Sequence, residues 1–148
     1  MIQSQIHLPM LNDFTFAIIK PNAIRTGKAG PVLAMITESG FRICALKMVR
    51  LSLQQAEDFY AVHKGRPFYP GLIDFMTSGP VIVTILSHQD AVEEFRKLIG
   101  NTDPLQAREG TIRKLYGVNT QMNAVHGSDS HENAVREADF FFSPDERF

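Results

Sequence analysis

Apolar positions alternate between two rhythms along this chain, and the switches mark its elements. "FTFAIIK", residues 14–20, is β-rich and partly alternating, which predicts a strand that stops at Pro21. "GPVLAMITESG" opens on Gly30 and Pro31 and closes on Gly40, the usual punctuation of a helix, with Val32, Leu33, Met35 and Ile36 on its apolar side. Residues 41–50 predict a second, longer strand. Ser52 and Gln55 form a capping box that opens a helix running to about Val62, with Leu53, Ala56 and Tyr60 on one face. Pro67 and Pro70 interrupt the pattern before a short helix in "GLIDFMTS".

"PVIVTILS", residues 80–87, is the most continuous apolar run, which places it centrally in a sheet. Ser87 is then expected to cap a helix whose Ala91, Val92, Phe95, Leu98 and Ile99 face the core, with Gly100 as its stop. Residues 101–112 read as a loop and 116–126 as a weaker strand. The last helix, about residues 130–139, starts from Asp129 or Ser130 and carries a stripe of Ala134, Val135 and Ala138, continued by Phe141 and Phe142. Residues 1–13 lack a clear period and read as an N-terminal extension to a single domain over 14–148. The element order favours an α+β fold of the ferredoxin-like, split βαβ kind, a four-stranded antiparallel sheet covered by helices. A small doubly wound parallel sheet is the alternative.

Composition narrows this picture only a little. The chain has 148 residues, 44% of them hydrophobic, and a formal net charge of −1. That suits one domain with a sizeable core and gives no overall pull towards nucleic acid or anionic membrane. The single cysteine, Cys44, allows no internal disulfide and suits a reducing cytoplasm. The first residues lack the basic and apolar regions of a signal peptide, and no apolar run approaches the ~18 residues of a membrane helix.

Neither common glycine-rich phosphate loop is present. "RTGKAG" has a Gly-Lys pair, but alanine stands where the hydroxyl belongs and the first glycine is missing. His126 and His131 are five residues apart, not on one helix face, and no cysteine pair or H-E-x-x-H occurs, so a metal held by protein ligands alone is not indicated. The stretch "NAVHGSDS", residues 123–130, is more informative. His126 lies between the small residues Ala124 and Gly127, which leave room for a ligand, and a helix start follows with unpaired N–H groups. A neutral imidazole there suits nucleophilic attack on an anionic phosphoryl group.

That stretch resembles N-x-x-H-G-S-D, the signature of the nucleoside diphosphate kinase family. "IKPN" (19–22), "GRPFYPGL" (65–72), "SGP" (78–80), "GNTDP" (100–104) and "GTIR" (110–113) are similar to further blocks of that family, in the same order over residues 14–142. The resemblance implies ping-pong transfer of a γ-phosphoryl group from ATP or another nucleoside triphosphate to a nucleoside diphosphate through a pros-phosphohistidine on His126. It implies that Lys20, Arg96 and Arg113 contact phosphates, that Thr102 donates to the diphosphate, and that Asn123 reaches the ribose and bridging oxygens. Phe68 is similar to the aromatic that stacks on the base, Tyr60 to a tyrosine near the catalytic ring, and Ser128 and Glu137 to the pair that orients it. Glu137 is expected on the polar side of the last helix. Mg²⁺ is implied as bound through the nucleotide phosphates, and the assembly as a homo-oligomer, with no membrane and no obligatory nucleic acid.

The chain departs from the family pattern at Asn22 and Ala23, at Lys114 and Leu115, and at Thr120 and Met122. The short ending "FFFSPDERF" resembles bacterial forms. Two other readings compete with an active kinase. One is a silent family-like domain that binds nucleotide or nucleic acid, and the other a ferredoxin-like interaction module without a nucleotide site.

Overall fold

The computed structural model describes residues 13–148. Its strands are β1 (Phe14–Ile19), β2 (Arg42–Val49), β3 (Val81–Ser87) and β4 (Val125–Gly127). Its α-helices are α1 (Pro21–Arg25), α2 (Ala29–Glu38), α3 (Leu53–Phe59), α4 (Tyr69–Met76), α5 (Ala91–Ile99), α6 (Ile112–Tyr116) and α7 (His131–Phe141). Short 3₁₀ turns cover Ala61–His63, Pro104–Gln106 and Pro144–Glu146. Most of the expected 1–13 extension therefore lies outside the described residues.

The sheet has the order β2-β3-β1-β4, and every ladder is antiparallel. This is the split βαβ arrangement, and it removes the doubly wound parallel alternative. β1 and β3 sit in the middle, and helices cover both faces. One face packs Phe16, Ile18, Val81, Val83 and Ile85 against Ala56, Phe59, Ile73, Met76, Ala138 and Phe141 from α3, α4 and α7. The other packs Ala17, Ile19, Ile82 and Leu86 against Val32, Ile36, Phe95, Ile99 and Ile112 from α2, α5 and α6. Two covered faces explain why β3 is buried at every position and why its sequence shows no alternation. β2 is an edge strand and shows the partial alternation its sequence suggested, interrupted by an irregularity between Ile43 and Ala45.

Several local expectations hold. The Ser52–Gln55 capping box is present, and Ser130 caps α7 by accepting from the Asn133 amide. Gly100 ends α5 with φ of 89°, a conformation open to glycine. Others need correction. Leu53 is exposed, and Phe59 takes its place in the core beside Ala56. The segment read as a strand over 116–126 is split. Thr111 caps a short helix, α6, by accepting from the Lys114 amide, and only Val125–Gly127 pair with β1. The first strand does stop ahead of Pro21, as expected, and Pro21 itself is the first residue of α1, where its missing N–H costs nothing.

Ser87 does not cap α5. It is the last residue of β3 and almost fully buried. The helix begins after Asp90, which has φ of 54°, and its first donors are met by Asp13. That carboxylate accepts from the amides of Asp90 (2.8 Å) and Ala91 (2.9 Å). A local rule cannot see a cap supplied from 77 residues away. Asp13→Ala should lower unfolding stability by about 1 kcal/mol, as loss of a capping side chain usually does, shifting the urea midpoint down with little change in slope.

Candidate active site

The C-terminal end of β1 and the short strand β4 bring the candidate residues together. Lys20 follows β1 directly, and its amide donates to Ala124 O at 2.8 Å. Ala124 has φ of 77°, rare for a residue with a side chain, and it is completely buried. The chain is thus turned sharply between Asn123 and β4. Gly127 has a different task. A Cβ there would lie 2.9 Å from Phe95 Cδ2 and 3.1 Å from Ile99 Cδ1, so its smallness lets α5 approach the sheet. The small residues around His126 thus also serve the backbone and α5, and Gly127 lines the cleft beside His126.

A cleft of about 780 Å³ opens beside β4, and His126 lines it together with Lys20, Tyr60, Phe68, Arg96, Thr102, Arg113, Asn123 and Glu137. Of the side chains named from the sequence, only Ser128 is outside that lining; it is fully buried behind the imidazole.

The imidazole geometry is specific. His126 Nε2 lies 2.9 Å from Glu137 Oε1. Ser128 Oγ donates to the same oxygen at 2.7 Å and accepts from the Phe16 amide at 3.3 Å. A carboxylate only accepts, so Nε2 carries the proton and Nδ1 is left with its lone pair. Phe16 and Phe59 both meet the ring edge-on, at centroid separations of 6.2 and 5.9 Å. The ring keeps 22% of its side-chain surface exposed. Glu137 is buried on the same face of α7 as Ala134, Ala138 and Phe141, not on the polar side expected for it. Burial pushes its carboxyl up, but the hydrogen bond and charge of His126, the Ser128 hydroxyl and Arg136 outweigh that and leave it below the usual range.

Three cations stand at one end of the cleft. Lys20 is buried and donates to Asn123 Oδ1 at 2.8 Å. Burial, with help from the nearby Arg113 charge, brings its ammonium down to about 7. Arg113 is braced by backbone carbonyls, Gly100 O at 2.9 Å and Val125 O at 3.0 Å. Burial and Arg96 lower it to about 10, so it stays charged at neutrality. Arg96 is exposed on α5. Asn123 joins two walls, because its Nδ2 also donates to Thr102 O at 3.1 Å. At the other end Phe68 is half exposed, with His63 edge-on at 5.3 Å. Tyr60 is buried with its hydroxyl unpartnered, and burial together with Glu137 raises its phenol.

Sequence reasoning missed His63, Gln121, Asp129 and Arg136, which also line the cleft. His63 follows Tyr60 by one turn and was open to notice; Arg136 sits among polar residues of α7 with no pattern to mark it. The departures at Asn22 and Met122 meet each other, since Asn22 Nδ2 donates to Met122 O at 3.2 Å. The start of α7 is less open to an anion than its sequence suggested. Ser130 already takes the Asn133 amide, and the Asp129 carboxylate accepts from Asn133 Nδ2. Among the described residues no three His, Cys, Asp or Glu side chains are grouped to hold a metal ion.

Converging cations, a hydrogen-bonded imidazole with one free nitrogen and an exposed aromatic platform, set on a split βαβ sheet, define the class of a small phosphotransferase. The comparisons with known proteins agree. Residues 13–147 match the family model described as nucleoside diphosphate kinase. The nucleoside diphosphate kinase of Erythrobacter litoralis is 53% identical over 132 residues, 89% of this chain and 94% of that protein. That of Flavobacterium psychrophilum is 48% identical over 139 residues, 94% of this chain and all of that one. Among solved structures, the Aquifex aeolicus nucleoside diphosphate kinase superposes with a TM-score of 0.89 at 41% identity, covering 92% of this chain and 99% of the other. The Halobacterium salinarum enzyme in complex with CDP gives 0.88 at 35% identity, covering 92% and 91%. The chain belongs to the nucleoside diphosphate kinase family.

The lowered ammonium of Lys20 makes a test. Below about pH 7 the group is charged, and above it mostly neutral. An anion bound beside it favours the charged form, so binding a nucleoside diphosphate at pH 8 should take up a proton. Affinity should then fall by up to about tenfold per pH unit above 7. Calorimetry in two buffers of different ionisation heat measures the uptake, and Lys20→Met should abolish it.

Proposed function

We propose that His126 Nδ1 attacks the γ-phosphorus of a bound nucleoside triphosphate, forming a phosphorus–nitrogen bond as the bond to the bridging oxygen breaks. The observation that carries this is the 2.9 Å hydrogen bond between His126 Nε2 and Glu137, which commits one ring nitrogen and frees the other. The diphosphate leaves with charge that Lys20, Arg96 and Arg113 offset. Nε2 keeps its proton throughout, so the phosphorylated ring is cationic, and the Glu137 carboxylate stabilises it while Ser128 fixes that carboxylate. A terminal oxygen of a second nucleoside diphosphate then takes the phosphoryl group, and the ring returns to its neutral form.

Phe68 offers its exposed face to the base, and a π-face suits purine and pyrimidine alike. Binding of CDP by the Halobacterium salinarum relative fits that tolerance. Thr102 lies where a diphosphate meets the arginines, and Asn123 beside the sugar. Tyr60 closes the cleft next to the ring. Mg²⁺ enters as part of the nucleotide substrate, on phosphate oxygens and water, which fits a cleft whose lining acids are Glu137, already engaged, and Asp129. The joining of His126, Lys20, Arg96, Arg113 and Asn123 in one cleft supports an active enzyme over a silent nucleotide- or nucleic-acid-binding copy or a site-free module.

Incubation with γ-labelled ATP and Mg²⁺ should label the protein with acid-labile, base-stable phosphate. His126→Ala should remain unlabelled, and added GDP should discharge the wild type as labelled GTP. Binding of nucleotide without labelling would overturn the scheme.

We also read the chain as a cytoplasmic homo-oligomer. No helix among the described residues is long and apolar enough to cross a membrane. β2 forms one edge of the sheet with Leu46 43% and Met48 57% exposed, an apolar edge that solitary proteins usually cover or charge. Light scattering should give a mass that is a multiple of 16.6 kDa. A single-chain mass at micromolar concentration would rule this out.

A further inference from the structure

The imidazole and its carboxylate have a third partner that the proposed reaction does not yet use. Glu137 Oε1 is fully engaged, accepting from both His126 and Ser128. Among the described residues, its second oxygen, Oε2, has one neighbour of opposite charge, the guanidinium of Arg136 at 3.6 Å. The same guanidinium lies over the ring of Phe59, 5.9 Å from the centroid, and Phe59 in turn meets the His126 ring edge-on. Arg136 therefore reaches the His126–Glu137 pair by two routes: through the carboxylate that accepts the Nε2 hydrogen bond, and through the aromatic wall that limits how the ring can tilt. Half of its side chain stays in solvent, and it also lines the cleft.

We propose that Arg136 is a positioning residue of the phosphotransfer site, acting on His126 through Glu137 and Phe59. This deepens the reading of His126 as the phosphoryl carrier and rests on it. A carboxylate held by one oxygen can rotate about its last bond. A cation 3.6 Å from the second oxygen, beyond hydrogen-bond reach, biases the plane of the group by charge alone, and so the direction in which Nε2–H points and the aim of Nδ1. The cation also opposes the tendency of a buried carboxylate to take a proton, which would cost the ring its acceptor.

The charged and titratable groups around the pair can be named. Glu137 is faced by His126 from β4, by Tyr60 from the end of α3 and by Arg136 from its own helix. Lys20, Arg96, Arg113 and Asp129 line the same cleft. Arg136 is one of the groups that hold the Glu137 carboxyl below its usual range. A cation beside that carboxylate makes its protonation harder, and removing the cation makes it easier. The acid limb of activity should therefore move to higher pH when Arg136 is neutralised.

The experiment compares wild type, Arg136→Gln and Arg136→Lys in the rate of labelling by γ-labelled ATP and in steady-state exchange from pH 3.5 to 9. Arg136→Gln should shift the acid limb upward by about half a pH unit. It should lower kcat roughly two- to fivefold while leaving KM nearly unchanged, the scale expected for a half-exposed ion pair. Arg136→Lys keeps the charge and should restore most of the limb. A Gln variant with the wild-type pH profile would overturn the proposal. So would a rise in KM alone, which marks a ligand contact, or a Lys variant as displaced as the Gln variant, which shows that charge is not the cause. Should His126→Ala also become labelled, it is the carrier assignment that fails, whatever the Arg136 variants do.

Discussion

One hydrogen bond organises the cleft: the proton on His126 Nε2, held by Glu137 Oε1 at 2.9 Å. It fixes the tautomer, and with it which nitrogen faces chemistry. The bond depends on three separate parts of the chain. β4 carries the ring, α7 carries the carboxylate, and β1 contributes the Phe16 amide, which donates to Ser128 Oγ while that hydroxyl donates to Glu137. Hydrogen bonds thus link the backbone of a central strand to the imidazole, with the Glu137 carboxylate accepting from both sides. Central strands move least, because both of their faces are packed, and the ring inherits that rigidity. The backbone of β4 is placed with equal care: Ala124 takes a positive φ, and Gly127 lets Phe95 come close.

The cations are held in a way that sets them apart from surface charges. Arg113 spends two nitrogens on carbonyls, and Lys20 spends its ammonium on Asn123. Each is fixed before any ligand arrives, so an anion meets donors that do not need to reorganise. The cost of that preparation is visible in the lowered ammonium of Lys20 and guanidinium of Arg113. Burying like charges near one another is unfavourable in the empty protein, and a phosphate relieves it. The site is arranged for the bound state, not for the free one.

Much of this was legible in the sequence, though unevenly. The central placement of residues 80–87, the Ser52–Gln55 box and the Gly100 stop are local signals, and local signals were readable. The antiparallel sheet followed from the element order. Long-range contacts were not readable. The Asp13 carboxylate at the start of α5 looked like a job for Ser87, because a helix start announces only that an acceptor is needed, not where it comes from. Residues 116–126 looked like a strand, yet only Val125–Gly127 pair; the stretch before them is a turn held by Asn119 Oδ1, which accepts from the Gln121 and Met122 amides in place of a strand partner. Glu137 was placed on a polar face because its side chain is charged, yet its helical phase, i+3 from Ala134 and i−4 from Phe141, puts it on the buried stripe, where His126 and Ser128 meet its charge. The cleft residues came from motif resemblance, whereas Arg136 and His63 belong to none of the motif blocks that were matched.

The two ends of the cleft are built to different standards, and the difference bears on what such a site can discriminate. At the imidazole end, Lys20, Asn123, Ser128 and Glu137 are buried and linked by hydrogen bonds. At the far end, Val62 and Phe68 are exposed, and the fixed contact is an aromatic edge from His63. Discrimination between ligands comes from buried polar groups left unpaired by the wrong one, whereas an exposed apolar face penalises very little. On the proposed reading, with the phosphates at the built end, a ligand lacking them would leave Lys20 and Arg113 uncompensated, while a change of base would alter only the stack on Phe68. Selectivity for the phosphate chain and tolerance of the base would then share a single cause: polar side chains are fixed and buried at one end of the cleft and left open at the other.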